Sequence, residues 1–241
     1  MPKLRVFAGP NGSGKSTLHD DLVRERSFHP LSFVNADVIQ RDLNDGRAIL
    51  REHLESDKAF MEFCAGLRRS TFKGAAEAAA LLSWTTGGVR LRSGARCGGY
   101  LAAAIADVLR NRLLDVGLSF SFETVMSDRR KLAFLRSARE QDYRIYLYFV
   151  STGDVEANVA RVRQRVQEGG HAVQELKVRQ RFMRCMALLR EAILLSDRAY
   201  LFDSAGPSRH VATYDGSTRV LSFTTEETPA WVADLRTPEG D

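Results

Sequence analysis

Residues 8–17, AGPNGSGKST, constrain this chain more than any other stretch. Gly9, Gly14, Lys15 and Ser16 fit the spacing G-x-x-x-x-G-K-[ST], and Thr17 follows. The apolar run LRVFA, residues 4–8, reads as a short buried strand. Residues 16–26, STLHDDLVRER, read as a helix with Leu18, Leu22 and Val23 on one face. Strand, glycine-rich turn and helix N-terminus is the order a phosphate-binding loop requires. Glycines let the backbone approach an anion and adopt positive φ. N–H groups of residues 12–16 then wrap a β-phosphate, helped by the helix dipole. Lys15 is placed to bridge the β- and γ-phosphates, and Ser16 to ligate Mg²⁺. The expected nucleotide-binding set is Gly9, Pro10, Asn11, Gly12, Ser13, Gly14, Lys15, Ser16 and Thr17, with ATP or GTP and Mg²⁺ as the implied cofactors.

The rest of the composition is that of an ordinary soluble protein. The 241 residues suit one α/β domain spanning 1–241 with additions. A net charge of +5 favours polyanionic partners without choosing among nucleotides, nucleic acid and acidic proteins. Cys64, Cys97 and Cys185 lie too far apart for a zinc-site spacing, and their number is odd. A reduced, cytoplasmic protein is the expectation. No signal peptide precedes Lys3, and no apolar run approaches the length of a membrane span.

Other P-loop machines carry signs that are missing here. An ABC-type ATPase needs an LSGGQ-like signature and an apolar strand ending in Asp-Glu. LRSGARCGG, residues 91–99, has the residue types but not the order. YLFDS, residues 200–204, ends in a single Asp and lies about forty residues from the end. No N-K-x-D element marks a GTPase. A kinase of a small-molecule acceptor is the favoured reading.

The acceptor side begins at residues 31–43, LSFVNADVIQRDL, a strand, a turn and a helix. Asp37 follows that strand within three residues. Strand C-termini of a parallel α/β sheet line the ligand crevice. A carboxylate there accepts an acceptor hydroxyl's proton during transfer. Its plain structural alternative is a helix cap or first-turn acid. Residues 117–128 give a further strand in which Leu118, Phe120 and Phe122 alternate with serines, ending at Glu123 and Thr124. Glu123 is a candidate to hold the acceptor, or Mg²⁺ through water. Residues 128–143 read as a helix with Leu132, Leu135 and Ala138 inward, and 144–151 as a doubly buried strand.

Residues 154–196 form an arginine-bearing lid: helix, glycine break, helix. Asp154 reads as the cap or a first-turn acid of the first helix, which carries Arg161, Arg163 and Arg165, and Gly169 and Gly170 end it. The second begins near Val173, bears Arg179, Arg181 and Arg184, and buries Phe182, Met186, Leu189 and Ile193. Such arginines neutralise a transferring phosphoryl group, and a closing lid excludes water. A solvated basic face is the alternative for any one of them.

In order, GPNGSGKST, NAD (35–37), FET (122–124), RVRQRVQEGGH (161–171) and a closing F-D at 202–203 followed by serine resemble the zeta-toxin family of P-loop kinases, most closely its compact bacterial branch. The likeness runs over residues 3–45 and about 107–215. It implies a P-loop kinase-like α/β fold, a parallel sheet sandwiched by helices. It implies transfer of a γ-phosphate to the 3′-hydroxyl of a UDP-amino sugar such as UDP-N-acetylglucosamine. It also implies a toxin–antitoxin pair, with a small helical antitoxin as protein partner. On this resemblance Lys15 and Ser16 match the P-loop contacts and Asp37 the general base. Glu123 and Thr124 match acceptor-side positions, Arg165 one phosphate clamp, and Arg179 or Arg181 the second.

The chain departs from the family over residues 46–117, read as a mainly helical insertion. Helices are expected at about 48–67, 74–84 and 101–117, and 85–100 reads as a loop bearing Arg90, Arg92 and Arg96. The insertion lies where an acceptor pocket is expected. It leaves open another acceptor, such as a nucleoside, a nucleotide cofactor or a polynucleotide 5′ end. An ABC-like switch acting through a protein partner is the remaining alternative. Residues 198–205 read as the last core strand, 209–223 as a hairpin at the sheet edge or near the base of the nucleotide, and 228–241 as a short amphipathic turn and a frayed polar tail.

Overall fold

The computed structural model describes residues 1–25, 31–50, 53–54, 56–169, 173–224 and 227–235. In chain order the elements are β1 (Lys3–Ala8), α1 (Lys15–Arg24), β2 (Ser32–Val34), α2 (Ala36–Asn44), α3 (Asp57–Arg69), α4 (Ala75–Leu81), β3 (Leu82–Thr85) and β4 (Gly88–Leu91). There follow α5 (Gly99–Asp115), β5 (Phe120–Thr124), α6 (Arg129–Glu140), β6 (Arg144–Ser151), α7 (Val155–Gln167) and α8 (Glu175–Leu194). The last are β7 (Arg198–Asp203), β8 (Arg209–Asp215), β9 (Val220–Phe223) and α9 (Ala230–Ala233). They fall into two compact units, Met1–Leu31 with Ser121–Asp241, and Ser32–Phe120. None of the described helices is long and apolar enough to cross a membrane.

The first unit is a mixed sheet with strand order β5-β1-β6-β7-β8-β9. β1 pairs in parallel with β6, and β6 with β7. β8 and β9 then run antiparallel, which puts the expected hairpin at the sheet edge. Leu4, Phe7, Ala8, Leu147, Phe149 and Leu201 are fully buried. That explains why LRVFA and RIYLYFVS read as nearly unbroken apolar runs, as a parallel strand covered on both faces must. α6 turns Leu132, Leu135 and Ala138 inward as its spacing predicted, and α8 buries Phe182, Leu189 and Ile193. Leu118 differs from expectation. It precedes β5 and is exposed, while Ser121 is fully buried, so the strand is covered on both faces and does not alternate.

The amphipathic turn expected near the chain end is the short helix α9, with Trp231 and Val232 buried. Trp231 in α9 is 9% exposed, lies 5.8 Å from the Phe149 ring and donates from Nε1 to Asp203 at 3.1 Å. Gly153, at φ +72°, makes room for it, since a Cβ there meets Trp231 Cδ1 at 2.6 Å. The polar end, residues 236–241, lies outside the described residues, as does Arg26 at the expected end of the first helix.

The second unit holds α2 to α5 and an antiparallel β3–β4 hairpin. This hairpin replaces the expected helix end at 82–84 and part of the expected loop. Trp84 opposes Val89 across it and stacks on Phe60 at 6.0 Å. The alanine run forms only α4. Leu82 and Trp84 then switch to a period of two, and Thr86-Gly87 make the turn. Residues 48–50 are not helical either: Ile49 makes a bridge to Val89, with both backbone bonds at 2.9 Å.

Candidate active site

The phosphate-binding loop leaves β1 at Ala8 and enters α1 through Gly14, whose φ of +90° is left-handed. Gly9 and Gly12 are required for a different reason. A Cβ at Gly9 meets the Val150 carbonyl oxygen at 2.1 Å, and one at Gly12 meets the Asn158 carbonyl at 2.7 Å. The loop is pressed against the end of β6 and against α7. Asn158 donates from Nδ2 to the Asn11 carbonyl. Ser204 Oγ donates to the Ser13 carbonyl at 2.9 Å, and Arg161 in turn holds the Ser204 carbonyl at 2.7 Å. Asn11 Oδ1 and Ser13 Oγ are buried with no hydrogen-bond partner among the described residues. Buried polar atoms without partners mark a place where a ligand supplies them.

Lys15, 6% exposed, donates from Nζ to the Pro10 carbonyl at 2.8 Å and lies 3.9 Å from Glu123 Oε1. Ser16 Oγ donates to Glu123 Oε2 at 2.7 Å. Glu123, at the end of β5, therefore reaches both P-loop side chains. Hydroxyl and carboxylate oxygen side by side suit a hard cation that takes its remaining ligands from phosphate and water. Among the described residues there is no cluster of three or more His, Cys, Asp or Glu. Thr124 is occupied locally: its Oγ1 accepts from Met126 N at 3.1 Å.

Helices α7 and α8 are joined by Val159, Val162 and Val178, with Val173 packed against them. Asp154 caps α7 as expected, accepting from Glu156 N at 2.8 Å. Gly169 is left-handed at φ +89°, while Gly170 and His171 lie outside the described residues. The two clamp candidates on α8 differ sharply. Arg179 is saturated by carboxylates: Nη2 donates to Glu156 Oε2 at 2.8 Å and to Glu175 Oε1 at 2.7 Å, Nε donates to Glu175 at 3.2 Å, and Nη1 also meets Glu156. These pairs hold the Arg179 pKa far above its ordinary value and push those of Glu156 and Glu175 down. Arg163 completes the group by pairing with Glu175. Arg181 is half-buried and has no ion-pair partner among the described residues. Arg165 stands in the last turn of α7.

Asp37 lies in the second unit, exposed in the first turn of α2. The cap is Asn35, whose Oδ1 accepts from Asp37 N at 2.8 Å and Val38 N at 3.4 Å. Asn35 thus takes the capping role, while Asp37 takes the other structural alternative, an acid in the first turn of α2.

Comparison with known proteins settles the fold. A chain of the AvrRxo1-ORF1:AvrRxo1-ORF2 complex, solved with sulphate ions, superposes over 100% of this chain and 66% of its own length at TM-score 0.58 and 15% identity. The same complex solved with ATP gives the same values. This chain has a P-loop kinase-like fold. It spans just under two thirds of that AvrRxo1 chain. A weaker likeness, TM-score 0.47 and 13% identity over 98% of this chain and 76% of the other, is to a structure of the PezAT chromosomal toxin–antitoxin system of Streptococcus pneumoniae. No protein-family model matches the sequence. A curated uncharacterized protein of Haemophilus influenzae is 29% identical over 65 residues, 27% of this chain and 46% of that one.

Asn158, Ser204 and Arg161 are the supporting residues that sequence reasoning did not assign. Each holds the loop by reaching backbone far away in sequence, and no local pattern announces that. The Asn158 position was visible only as one polar residue on the inner face of α7.

Proposed function

We propose that this protein is a zeta-toxin-like phosphotransferase that moves the γ-phosphate of ATP or GTP to a hydroxyl of a small-molecule acceptor. The observation that carries this reading is the Lys15–Ser16–Glu123 group beside a loop with two unpartnered buried polar atoms. The ATP complex of the AvrRxo1 relative supports ATP as donor. The loop N–H groups and Lys15 hold the β- and γ-phosphates. Ser16 and Glu123 hold Mg²⁺, which supplies charge neutralisation on the phosphate oxygens. Asp37 accepts the acceptor hydroxyl's proton as the new O–P bond forms. The bond from the γ-phosphorus to the bridging oxygen breaks, and the nucleoside diphosphate leaves with the electron pair. Arg165 and Arg181 neutralise the transferring phosphoryl group.

A UDP-amino sugar is the acceptor suggested by the sequence motifs. The motifs also favour a toxin held by a small helical antitoxin, and the AvrRxo1 relative was likewise solved with a second protein. The test is incubation with γ-labelled ATP and a metabolite extract, with the labelled product identified. Asp37→Ala is expected to lower transfer by about 10²–10⁴-fold, the usual contribution of a general base, and to leave ATP affinity unchanged. Undiminished transfer in this variant refutes the base assignment. ATP-driven dimerisation without any labelled acceptor favours the switch reading instead.

A further inference from the structure

A parallel strand is normally covered on both faces, and β7 is not. It pairs in parallel with β6, yet its residues alternate: Ala199, Leu201 and Asp203 are buried, Tyr200 and Phe202 are half-buried, and Arg198 is exposed. Trp231 of α9 packs on the buried face, at Asp203. Residues directly opposite one another share a face. The register therefore puts Tyr146, Tyr148, Thr213 and His210, all half-buried, on the other face with Tyr200 and Phe202. We propose that this open face of the first unit binds a single-stranded nucleic acid, with bases against Tyr200, Phe202 and His210 and phosphates at Arg144 and Arg198. The proposal goes beyond the phosphotransferase reading and does not depend on it.

Charge is the first argument. Lys3, Arg144 and Arg198 each open their strand, fall on this face and are exposed. Lys3 stands opposite Arg144, and Arg198 opposite Tyr146 and Asp215. Asp215, 3.4 Å from Arg198, is the single carboxylate among these positions. The surplus of cations complements a chain of phosphates. It lies at the end of the sheet away from the phosphate-binding loop, which leaves β1 at Ala8. The core of a protein–protein interface is depleted of charge, whereas here the aromatic residues run directly into arginines.

Ring geometry is the second argument. Phe7, Tyr148 and Tyr200 form a ladder of near-parallel rings, 4.9 and 5.1 Å apart and inclined by 11° and 22°. The ladder stops at Tyr200. The next ring, His210, is turned 54° from Tyr200 and 44° from Phe202, at 6.0 and 5.3 Å. Its Nε2 lies 2.9 Å from both the Ala212 carbonyl and Thr213 Oγ1, which holds it in that turned position. The stack is thus left open at Tyr200, and an unpaired base continues it. Such stacking accepts any base, because each has a π-face. Aromatic residues on a sheet face hold unpaired RNA in this way. A duplex keeps its base faces stacked inside and gains only the phosphate contacts.

The test uses the full chain and fluorescence anisotropy at low salt. The probes are short labelled oligouridine and oligodeoxythymidine, with duplex DNA of the same length and heparin as competitors. Both single strands are expected to bind more tightly than the competitors, to weaken as salt rises, and to stay bound at saturating ATP. Tyr200→Ala is expected to raise their Kd by about 5–150-fold, the range for losing one stacked base. Arg198→Ala, an exposed change that guards against a Tyr200→Ala protein that fails to fold, is expected to weaken binding and reduce the salt slope by about one. Both variants should keep the parent's ATP affinity. Absence of binding at low salt, or equal competition by duplex or heparin, overturns the proposal. So does displacement of the strand by ATP, which moves it to the phosphate-binding loop. Self-association that Arg198→Ala abolishes, with no oligonucleotide bound, makes the face an interface between copies and overturns it as well.

Discussion

Lys15 is only 6% exposed, and its ammonium is held by the Pro10 carbonyl and faces Glu123. In the proposed reaction that pre-sets positive charge for the γ-phosphate oxygens. Lys15→Ala is expected to cut transfer by about 10²–10³-fold, the scale of losing one preorganised electrostatic contact, read as initial rate at saturating ATP. Trp231→Ala is a structural counterpart. Its ring is buried against Gly153 and Asp203, and truncation is expected to cost about 3–5 kcal/mol of stability, measured by urea unfolding. The two residues were not equally legible. Lys15 sits in a motif whose spacing states its role. Trp231 sits in a short amphipathic turn, and the absent Cβ of Gly153, 78 positions earlier by number, makes room for its burial. A long-range cavity leaves no local period to read.

At the scale of elements, α7 and α8 carry a strap and a candidate clamp. Arg179 joins the start of α7 to the start of α8 through Glu156 and Glu175. Arg181 lies two residues further on without such a partner. Arg181→Ala is expected to lower kcat strongly with ATP affinity little changed. Arg179→Ala is expected to lower it less, and added salt should reproduce its effect on the parent protein, since exposed pairs are screened. The spacing alone made both arginines plausible, because their difference depends on two glutamates, one of them on another helix. The N-terminus of α6 adds a pH test. The Arg130 guanidinium bonded to Asp128 holds that carboxyl at about 2. The carboxyl value is depressed, so its stabilisation is complete above the ordinary aspartate value of about 3.9 and fades as pH falls through about 2. The stability gap between the parent and Asp128→Asn should close over that window. The β3–β4 hairpin shows the limit of element reading. Alanine content favours helix up to Leu81, and the switch to strand is decided by packing of Trp84 and Val89.

Across the whole molecule, the three thiols share one fate. Cys64, Cys97 and Cys185 are all buried and free, and burial raises each thiol, Cys97 to about 11 and Cys185 to about 12. Thiolate is the reactive form, so alkylation near neutral pH should be slow in the folded protein and rapid in denaturant. The parallel core was legible because doubly buried strands must be apolar throughout. The division into two units was not, because chain compactness is a property of contacts rather than of composition.

The chain has two tryptophans, and each unit holds one. Trp231 touches Asp203, whose chain neighbour Ser204 bonds the phosphate loop. Trp84 opposes Val89 and stacks on Phe60 in the second unit. The protein thus carries a separate optical reporter for each unit. In Trp84→Phe the remaining emission comes from Trp231, and ATP should change it, so occupancy of the phosphate loop can be followed by fluorescence with no attached dye.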